Sequence, residues 1–138
     1  MSANAASALL DEWEALTDPE AVAGRLSGSE RFAAPKESTQ LTALVDCGKY
    51  LHWYAVVAWN AKGGGAVVDY GTWPRQTRTV FAANDVRPSL KDLFPAHTEE
   101  QRVYAGLEGL VPDVLGRNYY GPGKAEFKVD TSAAALEP

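Results

Sequence analysis

The sequence predicts a mixed α/β fold in which a three-stranded antiparallel meander precedes a long helix. Three observations predict it. Residues 41–46, 51–59 and 66–70 are runs rich in apolar, β-branched and aromatic side chains, separated by glycine-containing breaks. Thr98-Glu99-Glu100-Gln101 is a capping box that opens an apolar repeat at helical spacing. Composition is that of a globular domain: 46% hydrophobic and 22% charged across 138 residues, enough chain for one core.

The N-terminal stretch reads as helical and peripheral. Leu9, Leu10, Trp13 and Leu16 recur at helical spacing, with Asp11, Glu12 and Glu14 opposite them. Asp18-Pro19-Glu20 then restarts a helix, because aspartate caps free N–H groups, proline suits the first helical position and glutamate favours the positive dipole end. Val22 and Leu26 give this helix an apolar edge, and Ser27-Gly28-Ser29 ends it. Phe32-Ala33-Ala34-Pro35 leads into a polar stretch through Gln40. Residues 1–40 therefore read as a helical linker segment and 41–138 as the domain.

Strand one is Leu41 to Asp46, with a turn at Gly48-Lys49. Strand two is Leu51 to Trp59, where Trp53, Ala55, Val57 and Trp59 share one face and His52, Tyr54, Val56 and Ala58 the other. Both faces are largely apolar, so the strand is expected to be covered on both sides. Asn60 to Gly65 is a loop, and Ala66 to Tyr70 is strand three. Residues 72–96 hold three prolines, three arginines and a lysine, and read as an irregular crossing with a turn of helix at Ser89 to Leu93. After the capping box, Val103, Tyr104, Leu107, Leu110, Val111, Val114 and Leu115 form an apolar stripe that Pro112 kinks or divides and Gly116 stops. Ala125 to Val129 is a last strand.

The net charge of −5 gives no electrostatic footprint for nucleic acid, although bound divalent cations can reverse the local sign. Cys47 is the only cysteine, which excludes an internal disulfide and a cysteine zinc cluster. No segment resembles a signal peptide or approaches the roughly 20 apolar residues of a membrane span. A soluble, cytoplasmic protein is expected.

Asp46 ends an apolar strand before a Cys-Gly turn. That placement suits a metal ligand, since a rigid strand then holds an oxygen at the rim of the sheet where Mg²⁺ or Mn²⁺ meets phosphate. The competing reading is an aspartate that caps its own turn. Asp69 also ends a strand; it is either a second ligand beside Asp46 or a carboxylate paired to an arginine or to loop amides. His52 and His97 lack ligand spacing and read as a satisfied structural histidine and a loop histidine. Cys47 reads as a small buried hydrophobe. Gly121-Pro122-Gly123-Lys124-Ala125 lacks the earlier glycine and the Ser/Thr of a phosphate loop and reads as a turn. Trp53, Trp59 and Trp73 with Tyr54 and Tyr70 are either core or a base-stacking platform, core being the commoner fate of such residues.

Three ordered segments then become familiar: Leu41-Thr42-Ala43-Leu44-Val45-Asp46-Cys47, Leu51 through Trp59, and Val67-Val68-Asp69-Tyr70-Gly71-Thr72-Trp73-Pro74. With Val103 through Leu110 and Leu115-Gly116-Arg117, they resemble the nuclease region of GpA-like phage terminase large subunits, and Arg25-Leu26-Ser27-Gly28 resembles the segment that joins that family's ATPase to its nuclease; the resemblance covers roughly residues 20 to 130. The resemblance implies an RNase H-like fold: three antiparallel strands, a helix, then further parallel strands. It implies DNA cleavage by two divalent metals, Mg²⁺ or Mn²⁺, with Asp46 in the place of the first catalytic carboxylate. It also implies double-stranded DNA as the partner of the complete parent, in the host-cell cytoplasm during DNA packaging.

After Asp130 the sequence turns alanine-rich before the family's second acid would appear. The expectation is therefore a partial domain, α+β as a fragment, with further acids supplied by Asp69, by Asp130 or by another chain. The alternative is a non-catalytic α+β interaction module whose open sheet edge pairs with a partner strand or with itself.

Overall fold

Short connections decide the topology. In the computed structural model, β1 (Ser38–Cys47), β2 (His52–Asn60) and β3 (Gly65–Trp73) are consecutive hairpins paired antiparallel in the order β1-β2-β3. The structure describes residues 19–24, 28, 30–121 and 124–131. Each strand extends beyond its apolar centre, because pairing draws polar flanks into the ladder: Ser38 lies opposite Asn60, and Thr72 opposite Trp53.

Register sorts the side chains. Leu41, Ala43 and Val45 lie opposite Ala58, Val56 and Tyr54, and so share their face; Leu44 and Asp46 lie opposite Ala55 and Trp53 on the other. A bulge interrupts β3, where Asp69 pairs with Val56 but Val67 with Val57, leaving Val68 as the extra residue. The bulge explains why two consecutive residues, Val68 and Asp69, are both buried.

The helix α3 (Glu99–Gly116) covers one face of the sheet. Its capping box forms as the sequence predicts: Thr98 Oγ1 accepts from Gln101 N, and Gln101 Oε1 from Thr98 N. It runs unbroken through Pro112. Two glycines permit the close approach. A side chain at Gly106 would meet the His52 ring and Leu90, and one at Gly109 would meet the Trp73 indole. The stripe is narrower than expected. Gly106, Leu110 and Val114 are buried, whereas Tyr104 and Val111 are exposed. The core joins Leu41, Tyr54, Val56, Ala58 and Val68 of the sheet to Leu110 and Val114, and to Tyr119, Phe127 and Val129 of the tail.

The opposite face of β2 departs from expectation. It is only partly covered: Val57 is buried and Phe81 stacks on Trp53, but Leu44, Trp53, Trp59, Val67 and Tyr70 are exposed there, Tyr70 by 64%. A single helix layer can cover only one side of a three-stranded sheet, and no second layer lies over the other among the described residues.

The tail holds more than the one strand predicted. Strand β4 (Tyr119–Gly121) pairs antiparallel with β5 (Lys124–Phe127). Beyond β5, Val129 forms an isolated parallel bridge with Leu41, and Asp130 N donates to Leu41 O at 2.9 Å. The chain thus leaves β3, crosses through α3 and returns to the free edge of β1. From Ala43 to Cys47 that edge has no strand partner among the described residues.

In the crossing, α2 (Leu90–Leu93) is capped by Ser89 at the predicted place, and a 3₁₀ turn covers Ala83–Asp85. Upstream, α1 (Pro19–Ala23) forms at the predicted restart; the Leu9 to Leu16 repeat and Arg25 to Ser27 lie outside the described residues. The expected boundary after residue 40 falls inside β1. Residues 32–34 belong to the domain, because Phe32 N donates to Val68 O, Ala34 N to Tyr120 O, and Tyr120 N to Phe32 O. No helix among the described residues is long and apolar enough to cross a membrane.

Candidate functional site

Asp46 stands near the C-terminal end of β1, directly opposite Trp53, on the face away from α3. It is exposed, and its side chain makes no hydrogen bond or ion pair among the described residues. The turn that follows is held without it: Gly48 N donates to His52 Nδ1 at 3.2 Å, while Lys49 pairs with Glu99 at 3.7 Å. The structure therefore does not place Asp46 as the cap of its own turn. Its oxygens are free to meet a cation from solvent.

Asp69 occupies a different environment. It lies opposite Val56, hence on the helix-covered face, with the whole of β2 between it and β1. It is 1% exposed. Oδ1 accepts from Arg31 Nε at 3.0 Å and Nη2 at 2.8 Å; Oδ2 accepts from Arg117 Nη1 at 2.7 Å and Tyr119 Oη at 2.8 Å. Arg117 extends the network to Tyr54 Oη at 2.9 Å and to Asp113 at 3.0 Å. Asp46 and Asp69 thus face opposite sides of the sheet and do not form one site. Of the two readings of Asp69, the geometry is that of the arginine-paired carboxylate.

The electrostatics follow from this packing. Burial pushes the Tyr119 hydroxyl up from the ordinary phenol value, and its hydrogen bond to Asp69 adds to the shift. For Arg117, burial acts to lower the pKa, but bonds to Tyr54 and Asp69 outweigh it and hold the guanidinium above its ordinary value. Arg31 is raised chiefly by its bond to Asp69. These three partners come from sequence positions far from Asp69, and neither arginine belongs to a motif. Only the predicted pairing of Asp69 to an arginine pointed toward them.

The remaining candidates sort by burial. His52 is buried and satisfied: Nδ1 accepts from Gly48, and Nε2 lies 2.9 Å from Val103 O. That is the structural histidine expected. His97 is a loop residue packed edge-on against Phe94. Cys47 is exposed, not buried as expected, because it lies at the unpaired edge of β1. The turn expected around Gly121 to Ala125 has Pro122 and Gly123 outside the described residues, with Gly121 and Lys124 paired across it. The aromatic set divides. Tyr54 is core and Trp73 packs on α3, whereas Trp53, Trp59 and Tyr70 are exposed on the open face.

As a metal centre, the described residues supply Asp46 and little else. No group of three His, Cys, Asp or Glu side chains converges among them. Asp69 has its oxygens engaged by four donors, and one oxygen of Asp130 accepts from Gln40 Nε2 at 2.8 Å. A single exposed carboxylate fits one ligand of a hard divalent cation. It does not make the several-carboxylate cradle of a two-metal centre.

Beside the C-terminal half of β3 opens a groove of about 700 Å³. Arg31, Arg75, Arg78 and Arg117 line it, together with Trp53, Tyr70 and Phe81, and Asp113 is its one acidic wall residue among those described. Trp53 and Phe81 stack with ring centroids 5.6 Å apart and planes 7° from parallel.

No family model, no curated protein and no solved structure matches this chain.

Proposed function

We propose that this chain carries the opening part of an RNase H-like nuclease domain of the terminase large-subunit type, whose complete parent cleaves double-stranded DNA during packaging. One observation carries the reading. After the meander and the helix, Val129 returns parallel to Leu41 on the free edge of β1, the direction and position of a fourth strand in that fold. Asp46 then has the place of the first metal ligand: near the end of the first strand, exposed, and with no side-chain partner among the described residues. Bound Mg²⁺ or Mn²⁺ would supply Lewis-acid activation of water and phosphate. This chain's own part is to hold one oxygen ligand rigidly at the sheet rim. Further ligands come from outside the described residues or from another chain.

The test is plasmid cleavage by the purified protein with Mn²⁺ or Mg²⁺, with Asp46→Asn as control. Metal-dependent cleavage lost in the variant supports the reading. Cleavage that survives the substitution removes Asp46 from it.

A second reading is favoured by the exposed apolar face. Leu44, Trp53, Trp59, Val67 and Tyr70 form a patch of the kind that marks interaction surfaces, beside the unpaired edge of β1. The chain would then be a non-catalytic interaction module. Absence of both cleavage and metal binding in the unmutated protein favours this alternative.

A further inference from the structure

We propose that the groove beside β3 is a binding site for a single strand of nucleic acid, which it engages without metal. The inference is independent of the nuclease reading, because neither Asp46 nor a cation takes part.

The first ground is charge complementarity. The chain carries a net charge of −5, yet four arginines and one carboxylate line this groove. Two of the arginines, Arg31 and Arg117, are committed to Asp69. Arg75 and Arg78 are exposed and make no ion pair among the described residues. They are placed on the loop after β3 with their guanidinium groups available to an anion. Arginine suits phosphate because its planar fork can donate two parallel hydrogen bonds.

The second ground is the aromatic surface interleaved with that charge. The Trp53–Phe81 stack forms one wall, and Tyr70, 64% exposed, stands on the neighbouring edge strand. Arg31 lies over the Tyr70 ring at 5.7 Å, so cation and ring present one composite surface. Aromatic faces alongside a basic track are what unpaired bases require, since every base offers a π-face for stacking. A duplex keeps its bases stacked on each other and offers only phosphates to such a groove. An acidic peptide satisfies the arginines but leaves the rings without a planar partner. The occupant that uses both features is a strand with exposed bases.

The experiment is fluorescence anisotropy of a labelled oligothymidylate with the full-length protein in EDTA, across a salt series. Wild-type protein is expected to bind, with affinity falling as salt rises. Arg75→Ala/Arg78→Ala should weaken binding and flatten the log–log salt slope by about 1.4, at about 0.7 per lost phosphate contact. Tyr70→Ser should weaken binding about tenfold with the slope unchanged. Both variants alter exposed side chains, so an unchanged melting temperature confirms folding. Wild-type affinity in the double arginine variant overturns the proposal. So does tighter binding of the duplex of the same length, or displacement of the strand by polyglutamate at equal charge concentration. Binding in EDTA with neither cleavage in Mn²⁺ nor Mn²⁺ binding would uphold the groove while removing the nuclease reading, and the converse result would do the reverse.

Discussion

Arg117, just past the C-terminal end of α3, donates to Asp69 of β3 at 2.7 Å, on the covered face of the sheet. This contact ties the helix to the edge strand. Arg31 brings the N-terminal segment to the same carboxylate, and Tyr119 brings β4. Asp69 is thereby the point where four parts of the chain meet.

Removing that point should cost stability. Asp69→Ala leaves Arg117 and the Tyr119 hydroxyl without their buried acceptor. The expected loss is about 3 kcal/mol, the lower end for breaking a buried pair, since the Arg31 side chain is 55% exposed and regains water. Urea denaturation measures it. A loss below about 0.5 kcal/mol, the scale of a surface substitution, would contradict the hub.

Tyr119 predicts the alkaline limit of the fold. Its hydroxyl pKa is raised in the native state by burial and by Asp69. A raised native pKa means that the folded state holds the proton more tightly than the unfolded chain. The contribution is complete below the unfolded value of about 10 and is lost as pH rises through the folded one. Stability should therefore decline above about pH 10, and Tyr119→Phe should reduce that decline while costing about 1–3 kcal/mol at neutral pH. Thermal melts at a series of alkaline pH values check both. An identical decline in the variant would assign it to other groups.

Gly109 sets how closely α3 lies on the sheet. Alanine ordinarily stabilises a helix interior by about 1 kcal/mol relative to glycine. Here its methyl would enter the space of the Trp73 indole, and overpacking costs about 1–3 kcal/mol. Gly109→Ala is therefore expected to be neutral to destabilising by about 2 kcal/mol, with a changed tryptophan emission. Gly116, with open space around it, is the control in which alanine is accommodated.

The meander and the long helix were legible because their signals are local. Apolar, β-branched and aromatic runs between glycine-containing breaks mark the strands, and Thr98 with Gln101 marks the helix start. Strand boundaries were less so, since Ser38 and Thr72 are drawn into strands by partners that the sequence does not name. The bulge at Val68, which buries Asp69 on the helix side, has no local signature. Without it the alternation cannot tell which face Asp69 takes, nor that Arg31 and Arg117 reach it. The exposed face of β2 misled for a physical reason: Trp53, Trp59 and Val57 are as apolar as the covered side, and periodicity reports the character of a face rather than what lies upon it. The parallel return of Val129 to Leu41 is a long-range pairing with no local signature in the sequence.

The proposed role of Asp46, a metal ligand in an RNase H-like domain, has one most direct test. It is titration of the isotopically labelled protein with Mn²⁺, followed by paramagnetic broadening of its amide resonances. Broadening centred on Asp46 and Cys47 in the unmutated chain, and abolished there by Asp46→Asn, is the result predicted. Broadening centred elsewhere, or unchanged at Asp46 in the variant, would contradict it.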